Sequence, residues 1–382
     1  MHKLLTLVLA IVVIASMAVV GCAKPAPAPA PAPTPAPTPA PTPAPAPAPE
    51  PQETIELKFS HHGPPTAWAT THWLDPWAKE VEKATNNRVK VTMYPAQSLV
   101  AEKEMYTGVE SDITDIGWVV VGIFKGRFPL TEAVSLPFMN LLGGKVDGER
   151  YSAGRVNSRI CWELYEKFPE MQAEWSTVKV PYICTSPPAF LVTKKPVHNL
   201  QELKGLKIRS HGGGQTDLVK AAGGVPVEMP IPDIYTSAEK GVIDGMIANY
   251  SQLTGFRLYE VFDYYTPISL TVDPFAVIMN KDKWDGLPSD IQKQIESVSG
   301  LWGAEFAGDG AFGSDLVSGF SGDVEKAGAS WEEVTPDAGV EQEWKEIAGK
   351  PIWDKWAADM EAKGLPGQAV VNELLSLIEK YK

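Results

Sequence analysis

Residues 204–250 constrain the fold more than any other stretch, because their pattern predicts three strands separated by two helices. They follow the order of a strand that ends in Arg209, a glycine-rich turn, a helix, a strand, a second helix and a third strand. Such alternation is typical of parallel α/β sheets, which bind small ligands beyond the carboxyl ends of their strands. A single guanidinium at that edge predicts a ligand with a carboxylate group.

The same alternation begins near residue 54. Ile55, Leu57 and Phe59 alternate with polar residues and predict a strand, and Trp73 and Trp77 follow at helical spacing. About 330 residues follow the first 53. That length exceeds one small core and predicts two α/β lobes.

The N-terminus has the pattern of an export signal. Residues 1–21 carry one cation, Lys3, then an apolar run, and they end in the sequence Val-Val-Gly before Cys22. This pattern predicts a lipoprotein signal peptide at 1–21 and a lipid anchor on Cys22, with an uncleaved N-terminal membrane anchor as the alternative. Residues 22–53 are rich in proline and alanine, which predicts an extended stalk that acts as a spacer.

Charge and cysteine content narrow the function. The chain has 47 acidic against 34 basic residues, a net charge of −13, which argues against nucleic acid as a partner. Beyond Cys22 only Cys161 and Cys184 remain, and we favour two buried thiols over a disulfide. No spacing of cysteines and histidines indicates a metal, and we expect no cofactor.

Residues 204–250 also carry a family signature. The elements KGLKIR, GGVPVEMP, DIY and GVIDG stand at 204–209, 223–230, 233–235 and 241–245. They resemble the signature of the solute-binding proteins of TRAP transporters, the family named for the C4-dicarboxylate receptor. SHHGPP, YPAQSL and NKDKWDGLPSDIQ extend the resemblance over nearly all of the chain after residue 54.

This resemblance implies a periplasmic-binding-protein-like fold, with two α/β lobes, a hinge and a long helix that spans both lobes. It places 54–186 and 275–314 in the first lobe and 187–274 and 315–382 in the second. Glycines inside the expected long helix predict that it is kinked or broken. They are Gly300, Gly303, Gly308, Gly310, Gly313, Gly319 and Gly322.

The resemblance also implies a site. Arg209 would pair with the ligand carboxylate, and Asn249 would add its amide, although a turn-forming asparagine is the alternative. Where several relatives carry a second arginine this chain has Ala189 and Phe190.

Where sialic-acid receptors carry an acid this chain has Val119, Val120 and Val121 beside Trp118. We therefore expect a monocarboxylate with an apolar or aromatic body, bound over Trp118 and Phe190, with core packing as the alternative for both rings. His62 is expected to donate a hydrogen bond to the ligand, or else to be a solvated loop residue.

By this resemblance the chain is an exported, lipid-anchored receptor for a small organic acid. It would deliver the acid to a TRAP permease, a pair of membrane subunits driven by an ion gradient. The alternatives are a receptor of this fold for an ABC permease or a sensor, an exported enzyme, and a stalked surface-interaction protein. No GxSxG, HExxH or P-loop motif supports an enzyme.

Overall fold

The computed structural model describes residues 54–313 and 315–382, without the side chains of 315–318. The predicted signal peptide, Cys22 and the predicted stalk lie outside these residues. Within them, no helix combines the length and apolar character needed to cross a membrane. Cys161 and Cys184 are buried free thiols, as we favoured from the sequence.

The described chain is built from strands and helices that alternate along most of its length. The strands are β1 (Ile55–Ser60), β2 (Val89–Tyr94), β3 (Ile116–Val120), β4 (Gly143–Val146), β5 (Glu149–Ser152), β6 (Val178–Thr185), β7 (Ala189–Thr193), β8 (Lys207–Ser210), β9 (Val225–Glu228), β10 (Gly245–Ala248), β11 (Tyr264–Thr271), β12 (Pro274–Asn280) and β13 (Glu332–Glu333). The helices are α1 (Asp75–Ala84), α2 (Met105–Glu110), α3 (Ala153–Lys167), α4 (Pro169–Ala173), α5 (Leu200–Leu203), α6 (Gly213–Ala221), α7 (Ile234–Glu239), α8 (Tyr250–Gly255), α9 (Lys281–Asp285), α10 (Ser289–Glu296), α11 (Gly300–Gly310), α12 (Asp315–Ala327), α13 (Val340–Ala348), α14 (Lys350–Glu361) and α15 (Gly367–Tyr381).

Two sheets form the centres of two lobes. The first sheet has the order β2-β1-β3-β12-β6, and the second has the order β13-β11-β7-β10-β8-β9. The strands β1, β2 and β3 run parallel, as do β8, β9 and β10, because helices connect them. The predicted two-lobed α/β fold is thus confirmed. Strands β4 and β5 form a separate hairpin.

Two short connections cross between the sheets, from β6 to β7 and from β11 to β12, and the helical segment between β12 and β13 crosses again. The two short connections bind each other. The backbone N–H of Ser186 donates to the carbonyl of Asp273 at 2.9 Å, and the N–H of Asp273 donates to Ser186 Oγ at 2.9 Å. This pair of connections forms the hinge of the molecule.

The expected long helix is divided. Helices α10, α11 and α12 are separate, and α11 ends before the turn at residues 311–313. Helix α11 packs on α3 and β6 of the first lobe, and α12 packs on α8 of the second. Two of its glycines permit this packing: a Cβ at Gly303 would lie 2.5 Å from the Tyr182 ring, and a Cβ at Gly308 would lie 2.5 Å from the Gly154 carbonyl.

The C-terminal helix contacts the first lobe, although the sequence placed it with the second. Tyr381 on α15 accepts a hydrogen bond from Arg159 of α3 at 3.0 Å. Lys380 donates to Glu163 of the same helix at 2.9 Å. The chain end therefore returns to the lobe in which it began.

Candidate functional site

A cavity lies between the ends of the two sheets. His62 and Trp118 reach it from the first lobe, and Arg209 and Asn249 from the second. Its volume is about 40 Å³, room for roughly three water molecules. The two lobes lie close together around this small space, and a larger ligand must enter with the cleft open. Apolar walls come from Val120, Ile231, Phe256, Phe275 and Phe312.

Arg209 lies where the sequence placed it, at the carboxyl end of β8 between Val227 of β9 and Met246 of β10. Its side chain is buried, with 2% of the residue exposed. Nε donates to the Met229 carbonyl at 3.0 Å, but Nη1 finds no hydrogen-bond partner in the described part of the chain. Burial lowers the pKa of Arg209, while Asp273 and Glu102 oppose that shift. A buried guanidinium with a free donor calls for an anion.

Asn249 caps a helix through its side-chain oxygen and leaves its amide nitrogen unused. It is the N-cap of α8, and its Oδ1 accepts from the N–H groups of Ser251 at 3.0 Å and Gln252 at 3.3 Å. Its amide nitrogen Nδ2 is buried and has no partner among the described residues. The oxygen therefore holds the helix, and the nitrogen is left to donate into the cavity.

Trp118 forms an aromatic wall of the cavity together with His62. The rings of the two residues stack, with their centroids 4.0 Å apart and their planes at 29°. The indole Nε1 of Trp118 is buried and unpartnered within the described residues. The ring thus combines an apolar face with one free donor, as sites for aromatic ligands commonly do.

His62 lies in the cavity wall and is uncharged at neutral pH. Burial lowers its pKa to about 3, and the charge of Arg209 acts in the same direction. Its Nε2 lies 3.6 Å from Oε1 of Glu102, and its Nδ1 is without a partner in the residues that the structure describes. A neutral imidazole offers one donor and one acceptor, so His62 can serve a ligand as a polar contact.

Glu102 is a cavity residue that the sequence analysis missed. It begins a short 3-10 helix, Glu102–Glu104, and reaches the cavity with only 2% of the residue exposed. Burial raises its pKa to about 7, although Arg209 and the Ile231 N–H lower it. In the sequence, Glu102 is only an acidic residue at the start of a helix. It lies in the cavity because residues distant in the chain bury it.

His211 was missed as well, although it follows Arg209 by two residues. It lines the cavity, and its Nε2 lies 2.5 Å from Oδ1 of Asp273 in the hinge. Asp273 also accepts from Gln215 Nε2 at 2.7 Å and from Gln252 Nε2 at 3.2 Å. The hinge carboxylate thus binds three side chains of the second lobe, two of which line the cavity.

Phe190 does not line this cavity, contrary to the expected floor. Successive residues of a strand face opposite sides of its sheet, and Phe190 lies on the side of a second core. Its ring lies 4.8 Å from that of Tyr250 and 5.4 Å from that of Tyr265, measured between centroids. Phe190, Tyr250 and Tyr265 border a separate groove of about 370 Å³ next to Pro187 and Pro188.

The described residues contain no group of three or more histidine, cysteine or acidic side chains placed to hold a metal ion. The cavity supplies a guanidinium, an amide donor, an indole donor and one carboxyl group between aromatic walls.

Comparison with solved structures gives relatives of the whole described fold. A TRAP solute-binding protein from Rhodoferax ferrireducens, in complex with copurified benzoate, is 25% identical with a TM-score of 0.77; the match covers 86% of this chain and 98% of that one. A marine metagenome protein specific for aromatic acid ligands, in complex with 3-hydroxybenzoate, is 28% identical with a TM-score of 0.76, covering 86% and 99%.

A third structure, from Bordetella bronchiseptica with bound (R)- and (S)-mandelate, is 28% identical with a TM-score of 0.75; the match covers 85% of this chain and 99% of that one. The sequence profile of the bacterial extracellular solute-binding proteins of family 7 matches residues 59–304. The chain therefore belongs to the bacterial extracellular solute-binding proteins of family 7, the receptors of TRAP transporters.

Proposed function

We propose that this receptor binds a monocarboxylate with an aromatic body, holding the carboxylate with Arg209 and Asn249. The observation that carries the proposal is the pair of unused donors, Arg209 Nη1 and Asn249 Nδ2, which have no partner among the described residues. Both side chains are at most 2% exposed and line one cavity. Leaving such donors unpaired costs about 1–3 kcal/mol each, which a bound carboxylate would recover.

The rest of the cavity favours an aromatic body over a second carboxylate. Trp118, Phe256, Phe275 and Phe312 supply apolar walls. Arg209 is the only arginine or lysine side chain that lines it in the described chain, so a second anionic group would lie unpaired in a buried site. The related receptors crystallised with benzoate, 3-hydroxybenzoate and mandelate have ligands of this class.

Delivery would follow from closure of the lobes over the acid. We infer that an open form admits the ligand and that the ligand stabilises the closed form through contacts from both lobes. The closed receptor would then dock on a TRAP permease. We also propose that a lipid on Cys22 tethers the receptor on the outer side of a membrane and that 22–53 serve as the spacer. Cys22→Ala would then move the protein from the membrane fraction to the soluble fraction.

Native mass spectrometry of the freshly purified protein, followed by calorimetric titration, tests the ligand class. We expect a copurified aromatic monocarboxylate, and binding of benzoate and mandelate in preference to succinate and malate. Preference for a dicarboxylate, or failure of every aromatic acid to bind, would contradict the proposal.

A further inference from the structure

The cavity contains an unused acceptor as well as unused donors. Oε2 of Glu102 is buried and has no hydrogen-bond partner in the described chain, and the same holds for Nη1 of Arg209, Nδ2 of Asn249 and Nε1 of Trp118. All four residues are at most 5% exposed. A carboxylate ligand satisfies donors only, so it leaves the Glu102 oxygen without a partner.

Glu102 is held in this position from both lobes. Its own N–H donates to Gln97 Oε1 at 2.9 Å in the first lobe. Its carboxyl group faces His62 at 3.6 Å and, from the second lobe, the N–H of Ile231 and the charges of Arg209, His211 and Asp233. An ionised Glu102 would repel the ligand carboxylate, whereas Arg209 and Asn249 would attract it. We therefore assign the carboxylate end of the ligand to these donors and a different group to Glu102.

A hydroxyl group fits this requirement best. It donates to a carboxylate oxygen, and it also accepts from a protonated carboxyl group, so it pairs with Glu102 in either state. A methyl or ether group would leave the ionised oxygen unsatisfied. An ammonium group would find a counter-charge only in the ionised form of Glu102, and not in the protonated form that burial favours.

Taking the proposed function as its basis, we propose that the ligand is a hydroxy-substituted aromatic acid, whose hydroxyl group binds Oε2 of Glu102 while its carboxylate binds Arg209. Glu102 thereby selects hydroxylated acids over their parents. The recognition is asymmetric, since a site built to pair a hydroxyl rejects the analogue that lacks it more strongly than an apolar pocket would.

Matched pairs of acids test this selection by calorimetric titration at pH 7. The pairs are benzoate with 3-hydroxybenzoate, phenylacetate with 3-hydroxyphenylacetate, and phenylacetate with mandelate, which move the hydroxyl between positions. In the unmodified protein we expect at least one hydroxy acid to bind about tenfold or more tightly than its parent. In Glu102→Leu that preference should disappear while the parent acid still binds. Glu102→Gln, which keeps an acceptor oxygen, should retain part of it.

Glu104→Gln is the control, because Glu104 is an exposed neighbour on the same short helix; it should leave every affinity unchanged. Two results would overturn the selection by Glu102 and leave the proposed function standing. Either the parent acids bind as tightly as their hydroxy partners, or the preference for hydroxy acids survives in Glu102→Leu. Failure of all the acids, parents included, would overturn both.

Discussion

Gly122 and His211 touch across the cleft, so closely that a Cβ at Gly122 would lie 2.1 Å from Nδ1 of His211. Gly122 follows β3 of the first lobe, and His211 follows β8 of the second. The imidazole cannot move aside freely, because its Nε2 lies 2.5 Å from the hinge residue Asp273. The close approach of the two lobes therefore requires a glycine, which has no side chain, at position 122.

Gly122→Ala should prop the lobes apart. Overpacking of a buried contact costs about 1–3 kcal/mol, so we expect ligand affinity to fall roughly tenfold. Small-angle scattering should show that saturating acid no longer compacts the protein fully. Gly322→Ala is the control, since a Cβ at Gly322 meets no described atom within 4 Å. Normal closure of the Gly122→Ala protein would show that the contact is unimportant.

Asn249→Asp should separate helix capping from ligand binding. Aspartate caps a helix as well as asparagine does, so the variant should stay folded, with a loss of at most about 1–3 kcal/mol in the free energy of unfolding for the new buried oxygen. The acid should bind at least tenfold more weakly, because a donor is replaced by a carboxylate that repels the ligand. Equal affinity, checked by titration alongside denaturant unfolding, would remove Asn249 from the site.

The motif around Arg209 made the fold and the position of this arginine predictable from sequence. A strand that ends in arginine before a glycine-rich turn places the guanidinium at the sheet edge, and the structure has it there. Asn249 was predictable for the same reason, because it follows β10 directly.

Other features depend on which side chains meet in space. Glu102 has no local signal, since its surroundings come from segments more than a hundred residues away, such as Arg209 and Ile231. Phe190 was predicted to line the cavity, but side chains alternate along a strand, and its ring lies on the opposite face of the sheet. The long helix is broken, as its glycines predicted, but Gly303 and Gly308 lie within α11 and allow close packing, which the sequence did not indicate.

Asp273→Asn should weaken both the hinge and the site. The carboxylate accepts from Gln215 and Gln252 and pairs with His211, and asparagine replaces one acceptor oxygen with a donor. We expect a loss of about 2–4 kcal/mol in the free energy of unfolding and weaker binding of the acid. Asp282→Asn, at an exposed position on α9, should change neither, as urea unfolding and titration would show. Unchanged stability in Asp273→Asn would mean that the hinge network contributes little.

Glu102 should make stability fall as pH rises. Its pKa is about 7 in the folded protein against an ordinary 4.5, so the folded state holds more protons between these values. Stability present at low pH is then lost as pH rises through about 7. Glu102→Gln removes this loss. The free energy of unfolding of this variant should exceed that of the original protein by on the order of 2 kcal/mol at pH 8.5. At pH 5 the difference in free energy of unfolding between the two proteins should be smaller. If unfolding experiments give the same difference at every pH, the pKa of Glu102 is not raised.

The affinity of Arg209→Ala for the copurified acid tests the central claim most directly. Removing the partner of a buried carboxylate costs about 2–5 kcal/mol, so the dissociation constant should rise at least 30-fold. Circular dichroism should confirm that the variant remains folded. Arg150→Ala, at an exposed position on the β4–β5 hairpin, should bind like the original protein. If folded Arg209→Ala binds the acid as tightly as the original, Arg209 does not hold the carboxylate and the account is wrong.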